Sequence, residues 1–444
     1  MLLDVVYLLV ALLILPWVAW RRLSGARPVA APWVRFTGAI APLPDPAGRP
    51  RIWLHGVSVG EVQLLTALAA EIERQAEAAG CPVDCVVSSS TTTGLEVARK
   101  RFGTDRVFPC PLDFSWAVER VIDRCAPELI VLGELELWPN LLARAWHRGI
   151  PVVVANARMS PRSAAGYGRI APVVRRMLSR VAVVVARSAE DAARFAALGA
   201  GRIVVAGSLK YDGVRGDRDH PDIHRLQSLA GFTPDDVVFL AGSTQHPEEE
   251  LALATYRTLA PRHPRLRLVI VPRHVERAPA IAALLDRAGV PWQRRSRLDA
   301  GHPPPATTVL LVDTTGELAW WWGTAAVAFV GGSLDGHRGG QNMLEPAAYG
   351  AAVCFGPHTR NFATEVATLL AADAATVVGD GNALTEFVGR CLDDPAWAAA
   401  RGAEARATVA AHRGATALTA ALVLENVAGG GAGGGRCRSP ENRP

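Results

Sequence analysis

The chain alternates short runs of apolar residues with longer stretches in which apolar positions recur at helical spacing. The strand-like runs of the first half lie at 52–57, 83–88, 107–111, 129–133, 152–156, 181–186 and 203–206. Between them, helical spacing is clearest at 62–78, 116–125 and 190–198. Continuous apolar strands separated by helices are typical of a parallel sheet that is covered on both faces.

The same pattern starts again after a polar stretch at 213–236. Its predicted strands lie at 237–241, 268–271, 309–312, 327–330, 352–355 and 376–378. We therefore predict an α/β protein with two Rossmann-like parallel-sheet domains that face each other across a cleft. Sheets of this kind bind ligands at the carboxyl ends of their strands, so the functional residues are expected there.

Shifts in this pattern set the predicted domain boundaries. They are a membrane-anchoring helix at 1–22, a Pro-rich linker at 23–50, a first domain at 51–212, an interdomain linker at 213–236, a second domain at 237–426 and a tail at 427–444. The tail is rich in Gly and then polar, so we expect it to be disordered.

The amino-terminal segment is almost wholly apolar from 2 to 20, interrupted only by Asp4 and Pro16. A helix of that length just spans the hydrocarbon core of a bilayer. Arg21 and Arg22 follow the segment and no cation precedes it, which argues against a cleaved signal peptide and predicts that the rest of the protein is cytoplasmic. Two alternatives stay open: a buried hydrophobic helix, and a helix that lies in the membrane interface.

Composition and charge exclude some functions. The net charge of +5 over 444 residues suits a partner with phosphates or carboxylates, but the chain lacks the dense basic runs of a nucleic-acid-binding protein. The seven Cys residues have no zinc-ligand spacing, so neither a metal nor another cofactor is expected. Their scattered, odd-numbered placement favours a reducing compartment.

The first polar cluster, H-G-V-S-V-G-E at 55–61, follows the first predicted strand and opens a helix. It places Ser58, Gly60 and Glu61 at the mouth of the first domain, where free backbone amides attract anions. The carboxylate of Glu61 could cap the helix or act as a general base. The motif taken alone favours capping.

The second cluster, E-L-E-L-W-P-N at 134–140, follows the fourth predicted strand. On extended backbone, Glu134 and Glu136 would point the same way, and two carboxylates held together tend to keep one proton. Arg158 and Lys210 add cations at the ends of two later strands. Lys210 is one of only two lysines in an Arg-rich chain, which suggests that a compact ammonium is required there.

The second half carries further polar clusters at strand ends. They lie at 241–244, which includes Ser243 and Thr244, and at 272–274, 313–317, 331–333 and 339–347. The glycines at 339–340 precede a helix, where backbone amides can approach a phosphate, and Glu345 is placed to accept hydrogen bonds from a ribose. A dinucleotide oxidoreductase would need G-x-G-x-x-G after the first strand, and the chain lacks it.

Taken together, these clusters resemble the Kdo transferases, membrane-associated enzymes that transfer 3-deoxy-D-manno-octulosonic acid (Kdo) in lipopolysaccharide synthesis. The resemblance runs from the amino-terminal segment to about residue 365. Besides the two clusters above, it includes A-N-A-R-M-S at 155–160, G-S-L-K-Y-D at 207–212, A-G-S-T at 241–244, V-P-R-H at 271–274, D-T-T-G-E-L at 313–318, F-V-G-G-S-L at 329–334 and G-P-H-T-R-N-F at 356–362. Each motif is weak alone, and their order makes the series specific.

The resemblance implies a GT-B fold and metal-independent, inverting transfer of Kdo from CMP-Kdo to a lipid A precursor at the cytoplasmic face of the cell inner membrane. It makes Glu61 the general base, reversing the preference for capping, and makes Glu134 and Lys210 stabilise the transition state. The implied contacts to CMP are Pro272, Arg273, Thr315, Gly316, Glu317, Asn342, Met343, Leu344 and Glu345.

The sequence departs from the family at a few positions. Gln341 and Met343 replace the usual His and Pro, Leu135 replaces Thr, and the stretch 335–338 is one residue longer. The change at Gln341 could alter how the donor is held. Two other hypotheses remain: a membrane-associated GT-B transferase that uses a UDP-sugar, and a non-enzymatic membrane scaffold. The retained polar residues at the strand ends argue against the scaffold.

Overall fold

A computed structural model describes residues 2–23, 31–300 and 308–429 of the chain. Contacts divide it into two compact units. Unit 1 combines Met1–Gly213 with Arg413–Pro444, and unit 2 is Val214–His412. Each unit contains a seven-stranded sheet whose neighbouring strands are parallel, which confirms the predicted α/β class.

The sheet of unit 1 contains all seven strands predicted for the first half. They are β1 (Arg51–Gly56), β2 (Asp84–Ser89), β3 (Val107–Pro109), β4 (Leu129–Gly133), β5 (Val152–Ala157), β6 (Val183–Ala186) and β7 (Ile203–Val205). Their order is β3-β2-β1-β4-β5-β6-β7. Ile52 and Leu54 pack into one core cluster and Trp53 into another, because successive residues of a strand point to opposite faces. Apolar residues therefore fill both faces of the strand, as predicted.

Helices connect these strands and cover the sheet. They are α1 (Leu2–Leu23), α2 (Pro32–Thr37), α3 (Val59–Ala78), α4 (Thr92–Phe102), α5 (Ser115–Cys125), α6 (Pro139–His147), α7 (Pro161–Gly168), α8 (Ala171–Leu178) and α9 (Ala189–Ala197). Several of these helices are capped at their start by a side-chain hydroxyl that accepts a hydrogen bond from a backbone N–H. Thr91 caps α4 in this way, and Ser188 caps α9. Of the predicted linker at 23–50, α2 is helical and 24–30 lies outside the described residues.

Unit 2 repeats the architecture. Its strands are β8 (Val237–Thr244), β9 (Leu266–Pro272), β10 (Trp292–Arg294), β11 (Val309–Leu311), β12 (Val327–Val330), β13 (Ala352–Phe355) and β14 (Ala375–Val377), in the order β10-β11-β9-β8-β12-β13-β14. Its helices are α10 (Pro221–Ala230), α11 (Glu248–Leu259), α12 (Ala278–Ala288), α13 (Leu318–Trp321), α14 (Leu344–Ala348), α15 (Ala363–Ala371), α16 (Gly381–Asp393) and α17 (Pro395–Ala411). The short edge strand β10 is the one strand of this sheet that the sequence pattern did not predict, because it has only three residues and two are polar.

The last helix, α18 (Ala415–Gly429), packs against α3 and so belongs to unit 1. Asp212 accepts hydrogen bonds from the backbone N–H groups of Gly414 and Thr416 at 2.7 and 2.6 Å, which fixes the start of this helix. The predicted second domain, 237–426, therefore differs from the observed division at its end. The predicted linker at 213–236 differs too, since it contains α10 of unit 2. Most of the predicted tail, 430–444, lies outside the described residues.

The order of strands reverses at one point in each sheet. In unit 1, β1 and β4 are neighbours although β2 and β3 lie between them in sequence. In unit 2, β8 and β12 have the same relation. Helices depart in opposite directions at such a point and leave a crevice at the carboxyl ends of the two strands. The sequence clusters after β1, β4, β8 and β12 therefore lie where a ligand site is expected.

The predicted membrane anchor at 1–22 is not supported by the structure. In α1, only Leu3–Leu13 forms a described apolar stretch, which is shorter than the roughly 20 residues that a spanning helix needs. Its first turns pack against unit 1, because Asp4 accepts hydrogen bonds from the N–H and hydroxyl of Ser115, and the Tyr7 hydroxyl donates to Asp113.

Within the described ranges, one stretch is long and apolar enough to cross a membrane, and it lies near the carboxyl terminus at Pro395–Val427. This stretch consists of two helices, α17 and α18, which a turn at 412–414 separates and which pack on different units. Within its most apolar part, 44% of the residues are buried in the protein. These two helices are therefore core elements of the two units.

Candidate active site

Glu61 lies in the first turn of α3, directly after β1. Its carboxylate accepts hydrogen bonds from the Ser58 hydroxyl at 2.7 Å and from the Val57 N–H at 3.0 Å, while the Ser58 hydroxyl oxygen accepts from the Glu61 N–H. This arrangement resembles a capping box, except that the Glu61 carboxylate accepts from the N–H of Val57, the residue before the N-cap, and not from the N–H of Ser58. A Cβ atom placed on Gly133 would lie 3.8 Å from Glu61 Oε2, so the carboxylate also faces the end of β4. Gly60 lies in the same turn, where an added Cβ would meet only the Ser58 hydroxyl, at 4.0 Å.

Glu134 follows β4 in a left-handed conformation, with φ of 54°. Its N–H donates a hydrogen bond to the carbonyl of Ala155 in the neighbouring strand, at 2.9 Å. The Glu136 N–H donates to the carbonyl of Gly133, three residues earlier, at 3.3 Å. The extended backbone predicted for Glu134 and Glu136 is therefore wrong: the chain makes a turn there. Left-handed backbone costs free energy at a residue other than Gly, and such residues often lie at functional sites.

The environment of Glu134 mixes one carboxylate with three cations. Burial, followed by the nearby charge of Glu61, raises the pKa of Glu134. Arg187, Arg158 and Lys210 act in the opposite direction and lower this pKa. The predicted candidates Glu61, Arg158 and Lys210 are thus close enough to Glu134 to influence its pKa, although different elements carry them.

Glu136 belongs to the same cluster. Burial raises its pKa to about 7, with smaller contributions from Glu61 and Glu134, while a hydrogen bond from the Trp138 indole at 2.9 Å opposes the shift. A carboxyl group that titrates near neutral pH can both accept and donate a proton near pH 7. Unit 1 therefore offers two carboxylates, Glu61 and Glu136, that could accept a proton from a substrate.

Lys210 lies in a 3-10 turn, Leu209–Tyr211, whose start is capped by the Ser208 hydroxyl. Arg158 is exposed just beyond β5. Arg187, which follows β6, was missed by the sequence analysis. Its backbone N–H donates to Ala157 at 3.1 Å, and its side chain is buried. Its position directly after a continuous apolar strand could have identified Arg187 from the sequence, as it did for the other candidates.

In unit 2, Ser243 and Thr244 end β8 and are buried, with Ser243 in the left-handed conformation at φ of 55°. Pro272 ends β9 beside Thr244, and the Arg273 N–H donates to the carbonyl of Thr244 at 3.0 Å. Pro272 is buried, whereas the side chain of Arg273 is exposed. These four residues therefore lie together at the carboxyl ends of two adjacent central strands.

The residues after β11 form an exposed loop that ends at α13. Thr315 and Gly316 are exposed, and Gly316 has φ of 86°. Glu317 accepts hydrogen bonds from Arg295 at 2.8 Å and from the Thr314 hydroxyl at 2.6 Å. Its carboxylate holds this loop in place and is engaged within the protein.

The cluster at 342–345 forms the start of α14. The Asn342 amide donates to Glu345 at 3.1 Å, and its oxygen accepts from the Leu344 N–H at 3.2 Å. Met343 and Leu344 are fully buried, so only their backbone groups could meet a ligand. Burial raises the pKa of Glu345, opposed by the Asn342 amide.

Glu248, the first residue of α11, is a second residue that the sequence analysis missed. Its buried carboxylate accepts four backbone hydrogen bonds, from Gln245 at 2.9 Å, Gly332 at 2.7 Å, Ser333 at 3.0 Å and Leu334 at 3.2 Å. One side chain therefore joins the loop after β8 to the loop after β12. It lies in an E-E-E run that resembles ordinary acidic residues of a helix's first turn, so nothing in the sequence distinguishes it.

Comparisons with known proteins identify a family that the chain matches. The family described as 3-Deoxy-D-manno-octulosonic-acid transferase (kdotransferase) matches residues 33–213. A 3-deoxy-D-manno-octulosonic acid transferase of Bordetella pertussis is 36% identical over 91% of this chain and 93% of its own. The enzyme of the same name from Haemophilus influenzae is 35% identical over 72% of this chain and 73% of its own.

Among solved structures, UDP-GlcNAc 2-epimerase from Neisseria meningitidis, bound to UDP-GlcNAc, aligns with a TM-score of 0.56. The alignment covers 85% of this chain and 99% of that one at 11% identity. At such low identity the likeness concerns the fold alone, and it agrees with a GT-B-like fold that contains two parallel sheets.

Proposed function

Because the chain belongs to the 3-deoxy-D-manno-octulosonic-acid transferase family and is therefore a glycosyltransferase, we propose that it transfers Kdo from CMP-Kdo to a lipid A precursor. The acceptor would resemble lipid IVA, and the reaction would take place at the cytoplasmic face of the inner membrane, in synthesis of the lipopolysaccharide core. Transfer would invert the configuration of the sugar.

The observation that carries this proposal is the group of charges around the ends of β1 and β4. Glu61 would accept the proton of the acceptor hydroxyl as its oxygen attacks the anomeric carbon of Kdo. The bond from that carbon to the phosphate of CMP breaks in the same step, and CMP leaves with the electron pair. A single base on the face opposite the leaving group is what inversion requires, as it is in inverting glycoside hydrolysis.

The capping hydrogen bonds of Glu61 are compatible with this role. They hold the carboxylate in one orientation toward the end of β4, and orientation is a large part of what a general base contributes. Lys210 and Glu134 would stabilise the transition state, with the ammonium of Lys210 facing the negative charge that develops on the leaving phosphate.

The donor would bind to unit 2. Arg273 presents an exposed cation at the end of β9, and the loop at Thr315 and Gly316 presents exposed backbone groups. The start of α14, with Asn342 and Glu345, provides amide and carboxylate groups suited to the ribose of a nucleotide. Met343 and Leu344 could contribute their backbone, because their side chains are buried.

Exposed apolar side chains on unit 1 support a lipid acceptor. They lie in or beside the helices α2, α5, α6 and α8: Trp33, Trp116, Trp138, Trp146, Ile170 and Val173. Trp33 is 72% exposed. In α1, Leu9, Leu12 and Leu13 are exposed as well. The rings of Trp33 and Trp116 both contact that of Phe36, so this part of the surface is a contiguous apolar patch. Such patches mark surfaces that meet a partner or a membrane, and tryptophans suit the interface of a bilayer.

Competition between nucleotides tests the donor. CMP should protect the protein against thermal unfolding and inhibit transfer of Kdo, whereas UDP at the same concentration should do neither. Protection by UDP alone would favour the competing hypothesis, a membrane-associated GT-B transferase that uses a UDP-sugar.

A further inference from the structure

Asn156 lies beside the charged cluster of unit 1 in an unusual conformation. It is 3% exposed, has φ of 53°, and sits where the pairing of β5 with β6 shifts between Val154 and Ala157. On the neighbouring strand, Glu134 is also left-handed and donates its N–H to Ala155. Two adjacent strands thus end in left-handed residues at the same edge of the sheet.

The side chain of Asn156 reaches another segment of the chain. Its Oδ1 accepts a hydrogen bond from the Leu209 N–H at 3.2 Å. Leu209 begins the 3-10 turn that carries Lys210, and the side chains of Leu209 and Tyr211 are both buried. The buried side chains of Leu209 and Tyr211 therefore anchor this turn on both sides of Lys210. The hydrogen bond from the Leu209 N–H to Asn156 also attaches the turn to the end of β5.

Position 156 requires a residue that adopts the left-handed conformation and whose side chain accepts a hydrogen bond from the Leu209 N–H. Asn is among the few residues other than Gly that adopt the left-handed conformation at modest cost. Gly would satisfy the backbone and provide no acceptor for the Leu209 N–H. Asn156 is therefore suited both to turn the strand and to bind the segment beside it.

We propose that Asn156 is a positioning residue, which acts on the transfer reaction by holding the turn that carries Lys210 at the carboxyl end of β5. It does not need to touch the substrate. The turn at 209–211 would remain folded without Asn156, because Leu209 and Tyr211 stay buried, but Lys210 would no longer be held in one position at the carboxyl end of β5. Displacement by about 1 Å is enough to lower a rate up to 10²-fold.

A double-mutant cycle on the full chain tests this inference, which rests on the proposed Kdo transfer. Lys210→Met should lower kcat on the order of 10²-fold, the usual loss when one group that stabilises a transition state is removed. Asn156→Gly, which keeps the left-handed backbone, should lower kcat roughly 10-fold with KM for CMP-Kdo unchanged. In the double variant, Asn156→Gly should cost little beyond the loss caused by Lys210→Met.

Two results would overturn the inference. One is a double variant whose loss equals the product of the two single losses, which would mean that Asn156 acts independently of Lys210. The other is an Asn156→Gly variant whose melting temperature falls while its kcat matches the wild type, which would leave only a structural role. An inactive wild type would instead reject the proposed function itself.

The matched control is Ala126→Gly. Ala126 is another left-handed residue of unit 1, with φ of 45°, and it is exposed at the end of α5. Its replacement introduces the same backbone flexibility away from the cluster and should leave kcat unchanged. A comparable loss of kcat in this control would attribute the effect of Asn156→Gly to flexibility and contradict the positioning role.

Discussion

At the scale of single residues, Glu61 takes part in the cap of α3, and its orientation is compatible with the proposed role of general base. Its carboxylate caps α3 through Ser58 and Val57, and it faces the end of β4, where Glu134 and Glu136 follow. The sequence predicted that these side chains gather, because the carboxyl ends of neighbouring parallel strands meet at one edge. It could not predict the turn at Glu134, because tertiary contacts such as the hydrogen bond to Ala155 impose a left-handed backbone there.

Substitution of Glu61 and of Glu136, one at a time, shows which of the two carboxylates is the general base. Glu61→Gln should lower kcat by roughly 10²–10⁴-fold, because a neutral amide cannot accept the proton. Glu136→Gln should lower it less and should change mainly the acid side of the pH–rate profile, because the pKa of Glu136 is about 7. Initial rates from pH 5 to 9 measure both. If Glu136→Gln abolished activity and Glu61→Gln retained it, the base would be Glu136.

Glu136 also predicts a dependence of stability on pH. Because burial raises its folded-state pKa from 4.5 to about 7, its contribution to stability is complete below pH 4.5 and is lost as the pH rises through 7. Glu136→Gln should therefore match the wild type near pH 4.5 and exceed its free energy of unfolding by about 1–2 kcal/mol at pH 8, allowing for partial solvent screening. Urea unfolding at the two pH values measures this difference. If the two proteins differed in unfolding free energy by the same amount at both pH values, titration of Glu136 would not be the cause of the difference.

At the scale of elements, loops are held by carboxylates whose partners the sequence did not predict. Glu248 joins the loops after β8 and β12, and Asp212 holds the start of α18. Glu248 lies in an acidic run of the kind that begins many helices, and Asp212 ends a polar cluster beside Lys210. The strands were predictable because their apolar runs are continuous, whereas these connections depend on which loops meet in the folded protein.

Replacement of Glu248 should loosen the donor side of the protein. In Glu248→Gln, the amide would present N–H groups to backbone N–H groups, which costs roughly 1–3 kcal/mol of unfolding free energy. KM for CMP-Kdo should rise several-fold while KM for the acceptor stays the same. Glu250→Gln is the control, since Glu250 is exposed in the same helix turn. Equal rises in both KM values would indicate general loss of structure.

Removal of the Asp212 carboxylate should weaken the attachment of α18. Asp212→Ala leaves two backbone N–H groups without their acceptor, and the free energy of unfolding should fall by about 1–2 kcal/mol. Asp219→Ala, at an exposed position, is the control and should change little. If Asp212→Ala matched the control in urea unfolding, these two hydrogen bonds would contribute nothing to the stability of unit 1.

At the scale of the whole molecule, the repeated α/β pattern was enough to predict two parallel sheets. It was not enough to assign α18, because an apolar helix at the end of the chain could cover either unit, and its contacts with α3 and Asp212 decide the matter. The amino-terminal helix shows the same limit. Its composition predicted a spanning anchor, whereas Asp4 and Tyr7 attach its first turns to unit 1.

The most direct test of the central claim is the mass of the product. Purified full-length protein is incubated with fresh CMP-Kdo and a tetra-acylated lipid A precursor dispersed in detergent, with Glu61→Gln as the inactive control. The acceptor should gain the mass of one Kdo residue, or a whole multiple of it, and one CMP should be released for each Kdo transferred. An unchanged acceptor mass with intact donor and folded protein would contradict the central claim.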